Sequence, residues 1–186
     1  MVKRSVPKRK FGLVALATLF IGFWVGVPVA NAAPDPVFDT AIDDIREALP
    51  EGWQFRLPST LLSDGELYPF VSESSETTLV ISFGVTPDCA ASNCTIGMFG
   101  ATDSEEELSG WPPEGNNVSS FEVGDRLQGY HLVRGAGQGA NRLVMWRQDG
   151  LTYAIATLAE ALTEDQLIEV ARSTAFETPI SPPISP

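Results

Sequence analysis

The chain has 186 residues and a formal net charge of −12, with 24 acidic residues against 12 lysines and arginines. Residues 33–186 hold all 24 acids but only seven basic residues, every one an arginine, for a net of −17. Residues 33–186 thus offer no basic cluster to nucleic acid or to an anionic membrane surface, which argues against both as partners.

Lys3, Arg4, Lys8, Arg9 and Lys10 form a basic start, followed by an apolar run from Phe11 to Val27. Ala30-Asn31-Ala32 then supplies the small-x-small pattern that a signal peptidase accepts. Residues 1–32 are therefore predicted to be a signal peptide, with Ala33 as the new N-terminus and a periplasmic or secreted bacterial protein as the product. The rival reading is a retained anchor. Against it, the apolar run sits at the short limit for a spanning helix and Pro28 follows at once. No Cys stands at the cleavage point to carry a lipid, so no stable membrane insertion is expected after cleavage.

The remainder is long enough for one domain, residues 33–177, with a Pro-rich disordered tail at 178–186. Asp35 can cap a helix with Pro36 at its first position. Phe38, Ala41, Ile42, Ile45 and Leu49 recur at helical spacing, and Pro50 and Gly52 stop the helix near Leu49. Trp53 to Leu57 reads as a short strand. Leu79, Ile81, Phe83 and Val85 alternate with Val80, Ser82 and Gly84, the period of a strand with one face inward. Thr95 to Phe99 is the return strand.

Between these strands lie Cys89 and Cys94, the only cysteines. In an oxidising compartment this pair is predicted to form a disulfide across a short hairpin loop, worth about 2 kcal/mol by loop entropy. A redox pair would favour Cys-x-x-Cys at a helix start, which is not the pattern here.

Asp103 to Ser119 reads as a polar surface loop. Gly129 to Arg134, Leu143 to Gln148 and Thr152 to Ala156 are predicted strands. Asp149-Gly150 joins the last two as a tight turn. Thr163-Glu164-Asp165-Gln166 is a capping box that opens a final helix with Leu167, Ile168 and Ala171 on its buried side. The sum is an α+β fold, a curved antiparallel sheet packed by an N-terminal and a C-terminal helix.

Few residues invite chemistry. His131 is the only histidine, without a second one to share a metal. On its strand it reads as a partly exposed, hydrogen-bonded side chain. An enzymatic role would need Glu122 or Asp125 beside it. Asp103, Glu105, Glu106 and Glu107 are dense in charge but lack the glycine and alternating ligands of a calcium loop. Gly135-Ala136-Gly137-Gln138-Gly139 precedes a strand rather than a helix, so the logic of a phosphate loop fails. Ser63, Ser72, Ser74 and Ser75 lie in polar segments without a nucleophile-elbow context. No catalytic residue, cofactor or metal is expected. Tyr130, Trp146 and Tyr153 are the aromatics of the C-terminal sheet. They are either core or a candidate surface for an apolar ligand or a partner.

The run Leu143-Val144-Met145-Trp146-Arg147-Gln148-Asp149-Gly150-Leu151-Thr152-Tyr153, with the later Ala171-Arg172-Ser173, resembles the end of an uncharacterised bacterial domain. That domain occurs in exported or membrane-anchored proteins, some linked to sporulation or to anti-sigma factors. The likeness covers about 45 residues, Gly129 to Ser173. It implies a Trp strand, a Tyr strand and a final helix, and it carries no catalytic residues.

Two functions are expected from this reading. One is a non-enzymatic exported module that binds another envelope or extracellular component. The other is a carrier of a small apolar ligand or lipid on the concave sheet face. An apolar pocket of about 300 Å³ or more favours the carrier, and a filled face favours the module.

Overall fold

The computed structural model describes residues 33–63, 65–89, 94–104, 110–124, 126–136, 140–158 and 160–183. The predicted signal peptide, Glu105 to Glu107, Asp125 and the last three residues of the tail lie outside this set. Among the described residues no helix is long and apolar enough to cross a membrane.

Seven strands form one open antiparallel sheet: β1 Tyr68–Ser74, β2 Thr78–Gly84, β3 Thr95–Thr102, β4 Val118–Gly124, β5 Leu127–Arg134, β6 Asn141–Gln148 and β7 Leu151–Leu158. Their order is β1-β2-β3-β7-β6-β5-β4. Two meanders therefore meet where β7 pairs with β3. Helices α1, Ile42–Ala48, and α2, Glu164–Ala175, complete the α+β fold. Helix α1 packs on β1, and α2 packs on β6 and β4.

The register turns alternating sequence into continuous rows. Ile81, Phe99, Ile155, Val144, His131 and Ser119 are successive cross-strand partners from β2 to β4. The neighbouring row runs Leu79, Ala101, Tyr153, Trp146, Gly129 and Phe121. Both belong to the helix-facing side, and their large apolar members share one core with Phe38, Ile45, Leu167 and Ala171. Gly129 is where this row crowds. A Cβ there would come within 2.5 Å of the Phe121 ring and 2.7 Å of Val123, so only glycine leaves room for both.

Local signals in the last third act as read. Thr163 Oγ1 accepts the Gln166 amide at 3.3 Å, and the Gln166 side chain accepts the Thr163 amide at 2.8 Å. Asp149 and Gly150 both take positive φ, 53° and 85°, the pair that matches a two-residue hairpin turn to the twist of its strands. Cys89 and Cys94 are bonded, with Cα atoms 5.7 Å apart.

Four expectations change. The first helix is not continuous. Pro36–Thr40 forms a tighter 3-10 turn, and the chain breaks at Ala41 before α1 begins. Asp35 imposes this. One carboxylate oxygen accepts the Val37 amide and the other accepts the Leu61 amide, so the start is tethered across the fold. Phe38 and Ile45 still point inward from the two pieces.

The segment Trp53 to Leu57 does not enter the sheet. It lies extended, with Trp53, Phe55 and Leu57 buried, and forms an isolated antiparallel bridge between Phe55 and Ile180. That same bridge ties down part of the tail expected to be free. The Phe55 amide donates to Ile180 O at 2.9 Å and the reverse bond is 2.7 Å.

The two edge strands lie where no strand is predicted: β1 takes in Ser72 and Ser74 from the polar stretch before Leu79, and β4 begins at Val118, at the end of the Asp103–Ser119 loop. An edge strand has one pairing partner and half-exposed faces, so its apolar alternation is weak in sequence.

Tyr153 links these parts. Its hydroxyl accepts the Arg56 amide at 3.1 Å and donates to Gln54 O at 3.4 Å. Burial pushes the phenol up to about 12. The Arg56 hydrogen bond and charge oppose that rise, and the charge of Asp149 adds to it. The folded state therefore holds this proton more tightly than the unfolded chain, where tyrosine titrates near 10. The corresponding stability is complete below about pH 10 and is lost as pH rises towards about 12, on the order of 3 kcal/mol. Urea unfolding at about pH 9 and about pH 11 should show this fall in the wild type. Tyr153→Phe, which has no proton to lose, should show a clearly smaller one. Equal slopes in the two proteins would contradict the assignment.

Candidate functional site

One row of the helix-facing side is poor in side-chain volume. Phe83 on β2 faces Gly97 on β3, which faces Thr157 on β7. Glycine and threonine cannot fill the space that Phe99 and Ile155 fill one step along. A cavity of about 440 Å³ opens at this end of the sheet.

Phe83, Ile96, Gly97, Ile155 and Thr157 line it from the sheet, and Val170 lines it from α2. Leu61, Leu62 and Leu67 close it from the segment that leads into β1. That segment is anchored where it begins. Asp35 holds the Leu61 amide at 2.8 Å, and the Ser173 hydroxyl of α2 donates to Thr60 O at 3.4 Å. The rim is polar: Ser63 and Glu66 are exposed, and Tyr68 is half-buried. The Glu66 carboxylate holds the Tyr68 phenol above its ordinary range. The side-chain hydrogen bond is the main cause, followed by burial and by the carboxylate's charge. Inside, the Thr157 hydroxyl is already spent on Ile96 O at 2.9 Å. Apolar walls with a few polar groups at the mouth bind by excluding water from an apolar body.

The aromatic candidates are dispersed. Trp146 and Tyr153 are fully buried and stacked, with ring centroids 5.1 Å apart and planes 8° apart. Phe55 extends the stack from Tyr153 at 5.6 Å. Tyr130 lies on the opposite face of the sheet, where the Trp111 ring meets it edge-on at 5.2 Å and Arg147 covers Trp111. The three are not brought to one surface.

His131 is buried, not partly exposed. It is 5 % accessible, its Nδ1 lies 3.4 Å from Glu164 Oε2, and its Nε2 finds no hydrogen-bond partner among the described residues. Glu164 also accepts the Ser119 hydroxyl at 3.3 Å. Its carboxylate thus stands between serine and histidine. A nucleophile relay needs the base in that middle place, so the trio reads as a helix-start clasp. Glu122 does not join it. By strand alternation it faces the same way as Tyr130, and its carbonyl accepts Arg172.

Asp103 accepts the Trp53 indole at 3.3 Å. Among the described residues no group of three or more His, Cys, Asp or Glu is placed to hold a metal ion.

The cavity residues escaped sequence reasoning. One signal was present: Leu61-Leu62 and Leu67 are large apolar residues in a segment otherwise rich in polar and turn-forming ones. Leucines kept in such a segment announce that it packs on something. In comparisons with known proteins, no family model, curated protein or solved structure matches this chain.

Proposed function

We propose that this protein is an exported, non-enzymatic carrier of a small apolar ligand, held in the cavity between the sheet, α2 and residues 61–63 and 65–68. The cavity carries this reading. Its volume of about 440 Å³ exceeds the roughly 300 Å³ at which ligand pockets begin, and its walls are leucine, isoleucine, valine and phenylalanine. Export is supported by the basic and apolar N-terminal segment with its Ala-x-Ala site, and by the Cys89–Cys94 bond. The likeness of residues 129–173 to exported bacterial domains agrees with it.

The test is titration with N-phenylnaphthylamine, a neutral probe that fluoresces when it leaves water. Binding should weaken at least about tenfold in Ala161→Trp, which places a large ring at an exposed position of the lining. Absence of probe binding to the wild type, or full binding in the variant, would refute the carrier.

A second reading, a module that docks on an envelope component, is favoured by the sheet face opposite the helices. Met98 is 45 % exposed there, among half-buried Leu143, Ala156 and Leu158. Probe binding that is lost in Met98→Glu and kept in Ala161→Trp would move the site to that face.

A further inference from the structure

We propose, building on the carrier reading, that the cavity selects an apolar molecule ending in a cationic, hydrogen-bond-donating head such as an alkylammonium, with Glu66 as its counter-charge. Glu66 is the one charged residue among the described residues that line the cavity, and it stands exposed at the rim. All seven arginines of residues 33–186 and His131 are described, and none lines the cavity. Arg142 stands next to Thr157 in the same helix-facing row, and its guanidinium donates to the backbone oxygen of Leu162, a lining residue, at 2.5 Å.

A carboxylate or phosphate head seated at this mouth would meet Glu66 with no cation among the described lining residues to offset the repulsion. An ammonium head would meet the exposed Glu66 carboxylate, whose oxygens can accept its N–H groups. The Tyr68 phenol is uncharged at neutral pH, so it adds no repulsion of its own to an anion and no second charge to attract a cation. The discrimination therefore rests on Glu66. The net charge of −17 on residues 33–186 also raises the local concentration of cations, without selecting where they bind.

Three ligands of equal chain length separate the heads: dodecylammonium, dodecanol and dodecanoate. Each would be used below its micelle concentration to displace N-phenylnaphthylamine at neutral pH and low salt. Dodecylammonium should displace the probe at a concentration at least about tenfold lower than dodecanoate, with dodecanol between. Glu66→Gln should bring the two charged ligands within about threefold of each other, with a smaller change for dodecanol than for either of them. Glu66 is exposed, so this variant should fold as the wild type does.

Equal displacement by all three in the wild type would overturn the head-group selection and leave the carrier standing. A preference for dodecylammonium that survives Glu66→Gln would assign it to the overall charge and overturn the role of Glu66. A preference for dodecanoate that is lost in Arg142→Gln would reverse the proposed chemistry. Failure of the probe and of all three ligands to bind would overturn the carrier reading itself, and this one with it.

Discussion

Trp146→Ala is expected to lower stability by about 3–5 kcal/mol, a large share of the 5–15 kcal/mol typical of a domain. Trp146 is fully buried on β6, where its ring lies flat against Tyr153. Helix α2 covers it from the other side, with Leu167 and Ala171 in the same core. The indole N–H reaches Gln148 Oε1 at 3.4 Å, and Gln148 in turn donates to the Ala175 carbonyl at the end of α2. Truncation removes the stack, opens a cavity and leaves this small polar link without its first member. The strand cannot slip to compensate. The Asp149-Gly150 turn sets its pairing with β7, and a slip of one residue would turn every side chain to the wrong face. Urea or thermal unfolding measures the loss. A variant that keeps its melting temperature but no longer binds an apolar probe would place Trp146 in a ligand site instead.

Phe55→Ala is expected to cost as much, about 3–5 kcal/mol, although Phe55 lies in no helix and no sheet strand. Its ring is fully buried and contacts Phe99 at 5.4 Å and Tyr153 at 5.6 Å. The segment that carries it is held by backbone bonds to Ile180 and by Arg56, which donates to Asp149 at 2.8 and 3.0 Å and to the Glu177 carbonyl. With its backbone held in this way, the segment cannot collapse into the space that the ring leaves, and a cavity remains. Phe176→Ala provides the contrast. Phe176 is 71 % exposed, and its loss should change stability by no more than about 0.5 kcal/mol. Urea midpoints for the two variants should therefore differ widely. Comparable midpoints would show that residues 53–57 are peripheral rather than part of the core.

What the sequence determined by itself was local. The capping box at Thr163, the Asp149-Gly150 turn, the close cysteine pair and the alternation of Leu79, Ile81 and Phe83 each depend on residues within a few positions of one another. These signals suffice for the fold class, because two amphipathic helices and several half-apolar strands can bury their faces only against each other. The tertiary structure alone decided three things. It joined Phe55 to Ile180, a pairing across more than a hundred residues that no local pattern encodes. It divided the C-terminal aromatics, sending Trp146 and Tyr153 inward and Tyr130 to the opposite face, because that face depends on strand register and not on residue type. And it made the cavity. Gly97 and Thr157 are unremarkable in sequence, and Leu61, Leu62 and Leu67 lie in a segment without periodicity. They enclose a volume only because the β3–β7 pairing sets two small residues side by side, beneath a segment anchored at its start by Asp35 and Ser173.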